Sequence, residues 1–243
     1  HGSGGHSRYF YPLAQFLSSR NIANVFTPDL RGHGASPGRR GDIAYIDQLE
    51  DDLADFIEGI KLENLYAKVI LSGHSSGGGL AIRFAGGKYA QLVDACLLLS
   101  PFLKYNAPTM RPNAGGWTSV HTPRIIGLSM LNALGIRWLN GLKVIRFNMP
   151  ESHRDGSETL AYSYRLNTGY TPRDFRKEVA DMKQPTLLLV GEWDESFNAH
   201  EFEPTLTQYK PDIEVIIVDR TTHLGIVVGE RVRPIIERWI AEI

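Results

Sequence analysis

The stretch Ala67-Lys68-Val69-Ile70-Leu71-Ser72-Gly73-His74-Ser75-Ser76-Gly77, continued by Gly78-Gly79-Leu80-Ala81-Ile82-Arg83-Phe84-Ala85, decides the architecture. The apolar run at 67–71 predicts a strand, residues 80–85 predict a helix, and between them stands the pattern Gly-x-Ser-x-Gly. In that strand-turn-helix setting, glycines two residues either side of Ser75 permit a sharp, strained turn that exposes the hydroxyl above the sheet. The helix N-terminus behind it adds positive potential where an oxyanion would form. Ser75 is the expected nucleophile; the competing reading is a glycine-rich helix start that serves only tight packing.

A serine hydroxyl is too weak an acid to attack an ester unaided at neutral pH, so a base and an orienting carboxylate are expected downstream in the order Ser, Asp or Glu, His. An expected strand at 186–190 runs into Gly191-Glu192-Trp193-Asp194-Glu195, and another at 214–218 runs into Asp219-Arg220-Thr221-Thr222-His223. Asp194 is the expected acid, because it lies a few residues past a strand end where the loop turns it toward the site. Glu192, Glu195 and Asp219 compete with it, and for each the plain alternative is a solvated loop carboxylate. His223 is the only histidine beyond His200 and is the expected base. Upstream, His1-Gly2-Ser3-Gly4-Gly5 is a flexible loop able to set an amide beside the nucleophile. The backbone N–H groups of Ser3 and Ser76 are the expected oxyanion hole, each donor being worth on the order of 3 kcal/mol in the transition state.

The remaining chain supports this frame. Its 243 residues are 42% hydrophobic and 22% charged, the range of one globular core. Strand candidates at 24–27, 67–71, 95–99, 186–190 and 214–218 alternate with helical segments, the pattern of an α/β protein with a mostly parallel sheet flanked by helices. Ile46, Leu49, Leu53, Phe56, Ile57 and Ile60 recur at three- and four-residue spacing, as do Val232, Ile235, Ile236, Trp239, Ile240 and Ile243, so both segments are expected to be amphipathic helices lying on the sheet. Residues 1–100 and 184–243 form the expected core. Residues 101–183 carry helical and loop signals without a convincing strand and are expected to be a helical insertion. Cys96 is the only cysteine; no internal disulfide can form, and the thiol reads as a small buried hydrophobe. The formal net charge of -1 offers nucleic acid no general attraction. No apolar stretch reaches the roughly 18 residues of a spanning helix; the sequence leaves the compartment open, with a cytoplasmic or peripherally membrane-associated location the favoured expectation. Oligomeric state is not encoded in these patterns.

His1 to Tyr9, Pro28-Asp29-Leu30-Arg31-Gly32-His33-Gly34-Ala35-Ser36, Gly73 to Gly78, Gly191 to Asp194 and His223 together resemble the α/β-hydrolase superfamily, and within it the monoacylglycerol lipase and lysophospholipase branch. The resemblance implies a Ser75, Asp194, His223 triad, oxyanion donors at Ser3 and Ser76, no metal or organic cofactor, and a cap at 101–183 folded over the site. His33 has no catalytic role in it, and His1 and His74 are expected to shape the loops around the site. Two features depart from the family pattern. Strands that relatives place before the His-Gly loop are absent from the sequence: either the chain is a piece of a longer protein, or its sheet is truncated, in which case the edge beside Ser3 would be exposed. Ser76 stands where similar lipases carry a larger residue, which leaves its backbone role intact and alters the pocket.

Apolar residues Ile125, Ile126, Leu128, Met130, Leu131, Leu134, Ile136, Trp138, Leu139 and Leu142 crowd the insertion. Between 95 and 150 there is no Asp or Glu, while Lys104, Arg111, Arg124, Arg137, Lys143 and Arg146 are basic. A greasy, basic cap suits a small lipid-like ester substrate and peripheral contact with an anionic membrane; alternatively it packs on the body with its charges solvated. An aminopeptidase or amidase on the same fold is the nearest rival, with Glu151, Asp155 or Glu158 to anchor a free amine. A homologue that binds a small ligand without turnover is a more distant one.

Overall fold

A computed structural model describes residues 1–112 and 116–243, so three residues of the expected insertion, 113–115, lie outside the described residues. In chain order the body runs α1 (Tyr11–Ser19), α2 (Gln48–Glu63), β1 (Ile70–His74), α3 (Ser76–Ala85) and β2 (Ala95–Leu99). Residues 101–183 supply β3 (Thr118–Val120), α4 (Thr122–Ala133), β4 (Lys143–Phe147), β5 (Ala161–Ser163), α5 (Tyr164–Gly169) and α6 (Phe175–Asp181). The chain then returns to the body as β6 (Thr186–Gly191), α7 (Phe202–Leu206), β7 (Glu214–Val218), α8 (Gly225–Val228) and α9 (Arg233–Glu242).

The main sheet has the order β1-β2-β6-β7, and every pair is parallel. Alternation along β2 and β6 sorts the core into two layers. Cys96, Leu98, Leu188 and Val190 face Ile57, Ile82, Phe84 and Phe202 on one side. Leu97, Leu99, Leu187 and Leu189 face Leu13, Leu17, Ile226, Ile236 and Trp239 on the other. Strands buried on both faces need no polar side, which explains their continuous apolar composition. Each fully buried leucine contributes on the order of 2 kcal/mol. Because the strands are parallel, their carboxyl ends all point the same way, and the turns after β1, β6 and β7 gather at one edge.

Two expectations need correction. The segment at 24–27 is not a strand: it and β1, the edge of the sheet among the described residues, both line a cavity of about 1060 Å³, and no backbone ladder joins them. The insertion, expected to be helical, contains a three-stranded antiparallel sheet, β3-β4-β5. Its register shifts between Lys143 and Ile145, a bulge that breaks the period of two and buries Val144 and Phe147, three residues apart. Phe147 and Tyr162 of this sheet pack with Leu49, Leu80 and Tyr170, joining the insertion to the body.

Candidate active site

Ser75 occupies the turn between β1 and α3 at φ 55°, ψ -121°, a region that non-glycine residues enter only where the surroundings hold them. Three backbone bonds do so: Ser75 N donates to Leu99 O at 3.0 Å, and Ser75 O accepts from Phe102 N at 2.8 Å and Gly79 N at 3.1 Å. The flanking glycines are sterically required. A Cβ on Gly73 would fall 2.2 Å from Gly77 O, and one on Gly77 would fall 2.5 Å from His1 O.

The turn after β6 brings Asp194 to the imidazole of His223, with 2.9 Å between Asp194 Oδ2 and His223 Nδ1. The other carboxylate oxygen accepts from Ser196 N and Phe197 N, each at 2.9 Å. Asp194 is 1% exposed. Burial by itself would raise its pKa; the hydrogen bond and charge of His223 and the Phe197 amide outweigh it and hold the carboxyl below its usual range. An ionised acceptor on Nδ1 keeps the proton there and leaves Nε2 as the basic nitrogen. Among the described residues Nε2 of His223 and the hydroxyl of Ser75 have no hydrogen-bond partner. The three competing carboxylates go elsewhere. Glu192 accepts from Arg220 N, Glu195 accepts from the backbone N–H of His223, and Asp219 pairs with Arg220 and Arg231 at the surface.

The loop at residues 1–5 is fixed by two matching relays. Gly2 N–H donates to the Tyr9 hydroxyl, which in turn donates to His74 Nδ1 at 3.0 Å, while His74 Nε2–H donates to the backbone carbonyl of His223 at 3.0 Å. That carbonyl can only accept, so it sets the direction of the whole chain. Gly4 N–H donates to the Tyr162 hydroxyl at 2.8 Å, which donates to His33 Nε2 at 2.6 Å; His33 Nδ1–H donates to Arg31 O at 3.1 Å. Burial keeps both histidines neutral, His33 lowered to about 4 and His74 well below its usual value. With the amides on either side consumed, Ser3 N–H is unpartnered among the described residues, and Ser76 N–H, in the first turn of α3, has no intrahelical acceptor.

Tyr9, Tyr162 and Arg111 were not anticipated in these roles. Arg111 Nε donates to Asp194 O at 3.0 Å and to Phe197 O at 2.9 Å, clamping the turn that carries the carboxylate. Its only sequence signal was membership of the basic set in the insertion. Tyr9 had a weak one, its place in the motif at residues 1–9. No three His, Cys, Asp or Glu side chains converge to hold a metal ion among the described residues, and none of the described helices is long and apolar enough to cross a membrane. A serine on a strained turn, whose neighbour His74 bonds the backbone of His223, and an imidazole oriented by a buried carboxylate form a grouping chemically suited to acyl transfer.

Residues 1–225 match the sequence model of the family described as serine aminopeptidase, S33. The chain is 30% identical to monoglyceride lipase of Rattus norvegicus over 163 residues, 67% of this chain and 48% of that protein. It is 32% identical to the Homo sapiens monoglyceride lipase over 109 residues, 44% of this chain and 34% of that protein. The chain thus spans about half or less of the curated relatives it matches. Among solved structures, the monoacylglycerol lipase of Paleococcus ferrophilus superposes with a TM-score of 0.73 at 22% identity, covering 100% of this chain and 92% of that one. A thermostable carboxyl esterase from Bacillus coagulans gives 0.66 at 17% identity, covering 100% and 86%. At these identities the two structures establish the shared fold.

Proposed function

The chain belongs to the serine aminopeptidase S33 family of α/β-hydrolases, on its monoacylglycerol lipase-like branch, and from that premise we propose that it hydrolyses carboxylic esters of lipid-like molecules through an acyl-enzyme on Ser75. His223 Nε2 takes the Ser75 proton as the oxygen attacks the ester carbonyl, and Asp194 stabilises the imidazolium that forms. The carbonyl oxygen becomes an oxyanion held by the N–H groups of Ser3 and Ser76. Collapse of the intermediate expels the alcohol, which takes the proton from His223. The same histidine then deprotonates water to release the acid and free Ser75. The observation that carries this reading is the Asp194–His223 pair at 2.9 Å. Its histidine carbonyl is held by His74, the neighbour of a serine fixed at φ 55°.

Residues 101–183 serve in this proposal as the cap over the site. Along α4 and the turn after it, Ile126, Met130, Leu134 and Trp138 are 56%, 65%, 77% and 81% exposed, with Arg124 and Arg137 beside them. Such a row suits contact with an anionic lipid surface that presents the substrate. The family's description keeps an aminopeptidase in view, but two of the candidate amine anchors are committed to their own turn: Asp155 Oδ1 accepts from Ser157 N at 2.9 Å, and Glu158 Oε2 accepts from Gly156 N at 2.8 Å.

One experiment separates these readings. A chain-length series of p-nitrophenyl esters is compared with a monoacylglycerol, a lysophospholipid and an amino-acid p-nitroanilide, with phosphatidylserine or phosphatidylcholine vesicles added. Ester turnover that exceeds anilide turnover by orders of magnitude, and faster monoacylglycerol cleavage on the anionic vesicles, is the expected result. Preferential anilide cleavage would replace the esterase by the peptidase, and equal rates on both vesicles would remove the membrane contact.

A further inference from the structure

We propose that the side-chain hydroxyl of Ser3 is a third donor to the oxyanion, held in that role by Ser76; the proposal rests on the ester-hydrolase reading above. Ser76 Oγ–H donates to Ser3 Oγ at 3.1 Å. A hydroxyl accepts through its lone pairs and donates its own proton independently. Ser3 Oγ, already an acceptor, therefore retains a proton to give, and no other partner takes it among the described residues.

Position argues for where that proton goes. The Oγ-to-Oγ hydrogen bond joins the same two residues whose N–H groups the proposed function assigns to the oxyanion, which sets the Ser3 hydroxyl between them. The loop is also pressed against the nucleophile, since a Cβ on Gly2 would stand 3.2 Å from Ser75 Cβ. Within one residue, the amide nitrogen and the Cβ that carries Oγ are both bonded to Cα, so an anion held by the amide of Ser3 is in reach of its hydroxyl. The departure from the family at position 76 then acquires a function: a side chain without a hydroxyl there could not donate to Ser3 Oγ.

The expected consequence is selective for the transition state. A neutral ester carbonyl is adequately served by two amides, whereas the tetrahedral intermediate carries a full negative charge and gains most from a third donor. Ser3 is thus a catalytic residue and Ser76 a positioning residue through its hydroxyl, in addition to its amide.

The test compares Ser3→Ala, Ser3→Thr, Ser76→Ala and the Ser3→Ala/Ser76→Ala pair on one ester, with active sites counted by exhaustive fluorophosphonate labelling and folding checked by thermal melting. Ser3→Ala keeps the backbone amide and is expected to lower kcat per labelled site on the order of 10- to 100-fold with KM nearly unchanged. Ser3→Thr, which restores a hydroxyl, should recover most of that loss. Ser76→Ala should lose less than Ser3→Ala, and the double variant should be no worse than Ser3→Ala alone. Ser3→Ala turning over within twofold of the parent, a loss confined to KM, or an equal loss in Ser3→Thr would overturn the proposal. Failure of the ester-hydrolase reading is a separate result: the parent chain itself would not label or turn over.

Discussion

Tyr9 and Tyr162 each take one amide of the loop at residues 1–5 and hand a hydrogen bond on to a buried neutral histidine. What is left over, Ser3 N–H, has no acceptor among the described residues. Tyr9 has the wider reach, because its histidine also holds the backbone carbonyl of His223. Tyr9→Phe is expected to lower kcat about tenfold with little effect on KM, since it loosens the base and the oxyanion loop together without touching substrate. A loss seen only in KM would place Tyr9 in ground-state binding. The residue scale also shows where the sequence stops short. Position past the strand end picks Asp194, but Glu192 and Glu195 follow β6 within the same few residues and compete with it on that ground. What aims it is the backbone of the following turn, which offers Ser196 N and Phe197 N to one oxygen and leaves the other for His223.

At the scale of elements, hydrophobic pattern was informative wherever a segment is buried on a regular face. β2 and β7 stand where their composition placed them, and α2 and α9 follow the three- and four-residue spacing. The insertion was illegible for a physical reason: β3 and β5 are three residues each, and β4 has a register shift that disrupts alternation. The segment at 24–27 has strand composition but pairs with no strand among the described residues. Composition also concealed an ion network. Arg83 of α3, fully buried, donates to Glu50 and Asp47 at 2.6 Å each and to Thr168 O at 2.8 Å, and Arg173 reaches the same Glu50 at 2.5 Å. These bonds tie the helix behind Ser75 to α2 and to the end of α5. Arg83→Met is expected to destabilise the fold by about 3 kcal/mol, because it strands Glu50, 1% exposed, with only Arg173 for company. Urea unfolding checks this; a change under 1 kcal/mol would show that Arg173 alone compensates.

The molecule as a whole carries its charge unevenly, with a basic stretch from 95 to 150 in a chain of net charge -1. That asymmetry is legible in the order of the residues, as is the family. Its pH response is not, because it depends on burial. His33, lowered to about 4, and His74, lowered well below 6.5, stay neutral in the folded state where an unfolded chain would bind protons. Stability is therefore full above the unfolded value of 6.5 and declines as pH falls from there toward 4. For His33 alone the loss by pH 5 is about 2 kcal/mol, roughly 4–8 °C in Tm for a chain of this size. Thermal melts from pH 8 to pH 5 measure it. A flat profile would mean that these histidines open to solvent and protonate in place.

The claim on which everything else depends is that Ser75 is the nucleophile served by His223 and Asp194. Intact-mass and peptide mapping after fluorophosphonate treatment, paired with ester turnover of the same samples, tests it most directly. The parent chain should gain one adduct, on the peptide bearing Ser75, while Ser75→Ala should gain none and lose turnover by roughly 10⁴-fold or more with its melting curve intact. A Ser75→Ala chain that still labels, or that turns over ester within tenfold of the parent, would contradict the account.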